Sequence, residues 1–155
     1  MIDLQNLKYV PVIKPGAIVD NDDFVGAHGD AAPVAIDTLG YDYAMIVVQL
    51  GATDIAIADM GLFEDDASNL ATATEITDAA FDATGNPGFP ADDDDNGAAV
   101  WFLDLRKRKR YITIDLTAGN GSTGTYAAAF ALLGRAAEKP TNATQRGFAL
   151  GEVII

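Results

Sequence analysis

The chain contains no cysteine. Disulfides, thiolate zinc sites, iron–sulfur clusters and cysteine nucleophiles are therefore excluded. Its single histidine, His28, excludes His-rich metal sites and leaves any catalytic triad one candidate base. Basic residues are scarce. Ten Lys and Arg stand against 23 Asp and Glu, a formal charge of −13 at pH 7. A field of that sign repels nucleic acid and anionic membrane surfaces. No run approaches the ~20 apolar residues of a membrane-spanning helix. Residues 1–8 lack the basic-then-apolar pattern of an export signal. The expectation is a protein made in the cytoplasm, with no cofactor, metal, nucleic-acid or membrane partner.

What is present is a folding chain of 155 residues, 49% of them apolar. That share is too high for disorder, and the length suits one domain. Much of it is small: 27 residues are Ala, while Trp, Phe and Tyr together supply 13. A core is expected, built from small side chains and a few aromatics.

Residues 1–32 are punctuated by Pro11, Pro15, Gly16, Gly26 and Gly29 and read as an N-terminal arm. Short strands are expected at 8–13 and 17–19. Residues 33–38 are short and extended. Residues 43–50 carry apolar side chains on both alternations and read as a strand buried on both sides. A further strand is expected at 55–63, followed by a polar turn at 64–69. Residues 73–80 are ambiguous between helix and strand. Residues 82–96, with Gly85, Pro87, Gly88 and Pro90 before Asp92, Asp93, Asp94 and Asp95, read as a loop. The pattern of 98–105 places Trp101, Leu103 and Leu105 on one face. Residues 111–116 alternate, with Ile112, Ile114 and Leu116 inward and Tyr111, Thr113 and Asp115 outward. Residues 125–133 are Ala-rich and helix-prone by composition, yet Tyr126, Ala128, Phe130 and Leu132 alternate with small residues, which favours a strand. Short strands separated by turn residues predict an all-β fold, a β-sandwich or jelly roll. The domain is expected over 33–137, with a C-terminal tail over 138–155 packing on the domain or on a neighbouring subunit.

Four features could carry chemistry. Gly119-Asn120-Gly121-Ser122-Thr123-Gly124 fits the G-x-G-x-x-G of dinucleotide sites. Too little chain follows it to complete a parallel sheet, so a hairpin loop between the flanking strands is the better reading. The four consecutive Asp could attract calcium, but adjacent carboxylates cannot all face one ion and the EF-hand spacing is absent. His28 lies in a loop expected to be exposed, and Ser68 and Ser122 are turn residues without a nucleophile elbow. No catalytic residue is assigned.

The fourth feature is Arg106, Lys107, Arg108, Lys109 and Arg110, which hold half of the basic residues. The rest of the chain carries 5 basic and 23 acidic residues, a charge of −18. If extended, the run sets three Arg on one face and two Lys on the other. It is the candidate docking site for an acidic partner or for a neighbouring copy. A charged turn or protected strand edge is the plainer alternative.

Three stretches together resemble a known family. The first is Val34-Ala35-Ile36-Asp37-Thr38-Leu39-Gly40-Tyr41-Asp42-Tyr43, running on through Ala44-Met45-Ile46-Val47-Val48-Gln49-Leu50-Gly51. The second is Phe63-Glu64-Asp65-Asp66-Ala67-Ser68-Asn69. The third is Phe102-Leu103-Asp104-Leu105-Arg106 with Lys109-Arg110-Tyr111-Ile112-Thr113-Ile114, continuing into Ala118-Gly119-Asn120-Gly121 and residues 125–135. Residues 138–147 also fit. The pattern is similar to small structural proteins of tailed bacteriophages and prophages, the capsid cement or decoration proteins. The resemblance implies a jelly-roll-like sandwich that binds the outside of the shell of major capsid protein as a homo-oligomer, trimer before dimer. It implies residence on the virion exterior after synthesis in the host cytoplasm, and it brings no catalytic motif. The alternative is a carbohydrate-binding β-sandwich, with or without calcium, using Trp101 or tyrosines as a platform.

Overall fold

The computed structural model describes residues 6–138 and 140–148. The chain is nearly all-β, with eight strands in two four-stranded antiparallel sheets. The strands are β1 (Lys8–Ile13), β2 (Ile36–Asp37), β3 (Tyr43–Leu50), β4 (Asp59–Asp65), β5 (Thr74–Glu75), β6 (Ala98–Asp104), β7 (Tyr111–Thr117) and β8 (Ala127–Gly134). The first sheet runs β1-β8-β3-β6 and the second β2-β7-β4-β5.

Period-two patterning explains the layering. On β3, Ala44, Ile46, Val48 and Leu50 are buried. On β8, Ala127, Ala129, Ala131 and Leu133 are buried. The second sheet answers with Ile36, Met60, Leu62, Ile112, Ile114 and Leu116, all fully buried. These residues join one hydrophobic cluster, the layering of a β-sandwich. Burying Leu116 or Met60 stabilises by about 1.5–3 kcal/mol each.

β8 is a strand despite its alanines because it is the interior strand between β1 and β3. Pairing on both edges outweighs a propensity worth a few tenths of a kcal/mol per residue. Its methyl side chains line the core side, which accounts for part of the high Ala content.

The described part of the expected arm, residues 6–32, is stitched onto the body. β1 has the bounds read from the sequence and pairs with β8. The expected strand at 17–19 reduces to a bridge between Val19 and Thr125. Asp23 bridges Thr117, and Phe24 and Ala27 are buried. Residues 1–5, 139 and 149–155, hence most of the expected apolar end of the tail, lie outside the described residues.

Three expectations are corrected. The strand expected at 55–63 starts at Asp59, because residues 52–58 are taken up in loop contacts such as Ile57 N donating to Pro90 O at 2.9 Å. The glycine-rich loop is not a hairpin: β7 pairs with β2 and β4, whereas β8 pairs with β1 and β3. The loop therefore crosses between sheets. Finally, Thr113 and Asp115 do not face water. They are 0% and 9% exposed, because residues 22–30 run along β7. There, Phe24 N donates to Leu116 O and His28 N to Ile114 O.

Candidate docking surface

The basic run does not extend. Leu105–Lys107 forms a 3-10 turn whose N-cap is Asp104, and the side chain of Asp104 accepts from the backbone N of Arg106. The 106–110 residues turn back onto their own chain. Arg106 forms a two-pronged pair with Asp104, which holds that carboxyl down at about 2. Arg110 pairs with Asp37 through Nε and Nη2 at 2.9 and 2.8 Å, clamping β2 to the start of β7, and the hydrogen bond lowers the Asp37 pKa. Arg108 lies 3.7 Å from Glu64. Lys109 donates from its backbone to Glu64 and from Nζ to Thr74 Oγ1, each at 3.1 Å. Lys107 is exposed. The run thus ties the β6–β7 connection to three strands. Exposed pairs of this kind each contribute little stability.

The glycine-rich loop makes an anion nest, and the chain fills it itself. The Asp54 carboxylate accepts from the backbone N of Ser122 and Thr123 at 2.5 Å each, and from Gly124 at 3.1 Å. Asp20 accepts from Gly121 N at 2.9 Å. The backbone donors, led by Thr123, lower the Asp54 pKa. Where a dinucleotide site would present these amides to a pyrophosphate, here a side chain occupies them. In the acidic loop, Asp94 accepts from Ala91 N and Asp95 from Thr53 N, each at 2.8 Å. Among the described residues no group of His, Asp and Glu could hold a metal ion.

His28 is not the exposed loop residue expected. Its ring is half-buried and stacks on Phe63, centroids 4.0 Å apart. Trp101 is buried, donates from Nε1 to Ala79 O at 2.8 Å, and meets Phe81 edge-on. It is a core residue, unavailable to stack on a sugar.

The feature missed from the sequence is the outward face of the first sheet. Strand register places Tyr9, Leu132, Met45 and Phe102 in one row across all four strands. Pro11, Phe130, Val47 and Val100 form the next row. Phe102 is 77% exposed and Val100 43%. Phe130 and Phe148 pack on Tyr9, extending the surface beyond β1. Neither row contains a charge. Charges begin at one end, around Tyr43, where the Arg106 and Arg135 guanidiniums lie 5.7 and 5.3 Å from the ring centroid. Arg106 is paired with Asp104 and Arg135 with Asp42, so this rim is neutral too. An apolar sheet face on a chain of charge −13 is the kind of patch through which proteins associate, and it is the candidate docking surface. Its legible signal was the apolar second alternation of β3, β6 and β8.

Compared with known families and with curated proteins, the sequence matches none of the family models and none of the curated sequences.

Proposed function

We propose that the protein is a structural adhesive: a cement or decoration protein that binds the outer surface of a tailed-phage head, on a jelly-roll-like sandwich, as a small homo-oligomer. The observation that carries this reading is the uncharged apolar face formed by all four strands of the first sheet. Docking there removes Phe102, Val100 and their neighbours from water, which supplies affinity without any reacting group. The acidic remainder keeps the free protein dispersed before it docks. The sequence resemblance to capsid cement proteins points the same way. The basic run takes a smaller part than its composition suggests: Arg106 stands at the rim of the face, while Arg108 and Arg110 are turned to Glu64 and Asp37 of the same chain. The carbohydrate-binding reading loses its natural platform with Trp101 in the core.

The test is sedimentation with self-assembled shells of the major capsid protein encoded in the same genome, beside light scattering of the protein alone. Saturable co-sedimentation supports the reading. A strict monomer at high concentration that leaves shells bare overturns it.

A further inference from the structure

We propose that residues 22–30 are a pH-sensitive cover on the second sheet, closed when the carboxyl of Asp115 is protonated and loosened when it ionises. Asp115 lies on the outward face of β7, on the strand that the cover borders. It is 9% exposed, and among the described residues no hydrogen bond or ion pair reaches its carboxyl. Three acids act on it through space: Asp59 of β4 and Asp23 of the cover, both opposite Thr117 two residues along β7, and Glu75 of β5. None of the four is in an ion pair among the described residues. Burial first, then these three charges, push the Asp115 carboxyl up to about 7. Two residues along the same face, the fully buried hydroxyl of Thr113 also lacks a partner.

The cover is held by the group that ionisation would repel. Asp23 Oδ1 accepts from Thr117 Oγ1 at 2.5 Å. The other Asp23 oxygen lies where a side chain on Gly29 would have to stand, and Gly29 has φ +97°. A non-glycine residue would clash there, so the turn of the cover closes directly over this carboxylate. Beyond it, His28 reaches across to Phe63. A new negative charge at Asp115 therefore pushes on Asp23, the anchor between the cover and β7. The other titratable groups of the cover are Asp22, which accepts from Asp23 N, Asp30, which accepts from Gly26 N and Ala32 N, and His28, which is engaged through its ring face and its backbone N–H. This device does not depend on what the first sheet binds.

The test is amide hydrogen exchange at Phe24 and His28, whose N–H groups bond Leu116 O and Ile114 O at 3.1 and 2.7 Å. With a midpoint near 7, protection corrected for the intrinsic rate should fall roughly tenfold between pH 6 and pH 8. Asp115→Asn cannot ionise and should show flat protection over that range. Asp59→Asn, which removes one facing charge, should move the midpoint to higher proton demand, that is, to lower pH. A flat profile in the unsubstituted protein overturns the proposal. So does an equal fall in Asp115→Asn, or a carboxyl signal of Asp115 titrating near 7 while both amides stay protected.

Discussion

Asp115 should make the protein less stable as pH rises through neutrality, and Asp115→Asn should abolish that slope. In the unfolded chain the carboxyl loses its proton near 3.8; in the folded chain it holds it to about 7. Between those values the folded state binds more protons, so stability falls as pH rises and the full penalty is present above 7. Retaining a proton over that interval sets a ceiling of about 4 kcal/mol, at 1.36 kcal/mol per pH decade. Water still reaches about a tenth of the residue, and screening brings a workable expectation to about 2 kcal/mol. At pH 8, Asp115→Asn should therefore raise Tm by about 4–8 °C, at roughly 2–4 °C per kcal/mol for a chain of this length. As pH falls toward about 4, where the unfolded carboxyl also takes up its proton, the two melting temperatures should converge. Asp37, Asp54, Asp65 and Asp104 have lowered pKa values, each chiefly through a hydrogen bond. Their contribution is lost as pH falls below about 4, so stability should peak in mildly acidic solution. Urea unfolding from pH 4 to 8 reads the curves. Parallel curves for the two proteins would refute the argument.

Two further outcomes follow from the core and from one turn. Trp101→Phe leaves Ala79 O without its buried donor and should destabilise by about 1–3 kcal/mol, measured by denaturant midpoint; an unchanged midpoint would mean the indole is not a core hydrogen-bond donor. Gly124 has φ +85°, and a side chain there would run into Val19 O. Gly124→Ala should therefore lower stability by about 1–3 kcal/mol and release the Val19–Thr125 bridge, seen as faster exchange of the Val19 amide.

Local alternation was enough to read β1, β3 and the inward face of β7. In β3 and β7 the side chains facing the core repeat every second residue, and neighbours in sequence settle the matter; β1 keeps its extended reading although a register shift buries the consecutive Val12 and Ile13. β8 was readable too, because Phe130 and Leu132 keep the alternation that the alanines blur. The failures all involve partners distant along the chain. Thr113 and Asp115 look like solvent positions until residues 22–30, some ninety residues earlier, are laid along their strand. The glycine-rich loop has every mark of a hairpin, yet Asp54 and Asp20 hold it in a crossover between sheets. The basic run looks like a free docking strip because Asp37 and Glu64, the carboxylate partners of Arg108, Lys109 and Arg110, are far away in sequence; Asp104, the partner of Arg106, is adjacent. The docking face was half visible: Met45 and Val47 stood out as a second apolar side of β3. That alternation predicts burial on both sides, and the described chain covers only one.

Docking through the first sheet would draw most on Phe102, the most exposed side chain of that face. Burying the three-quarters of this side chain now in water, roughly 150 Å², is worth about 3–4 kcal/mol. The decisive measurement is the dissociation constant for capsid shells, by co-sedimentation, of the unsubstituted protein and of Val100→Lys/Phe102→Lys, with Tm recorded for both. The expected result is a loss of at least about a hundredfold in affinity with Tm nearly unchanged, since both side chains point away from the core. Equal affinity in the two proteins would contradict it.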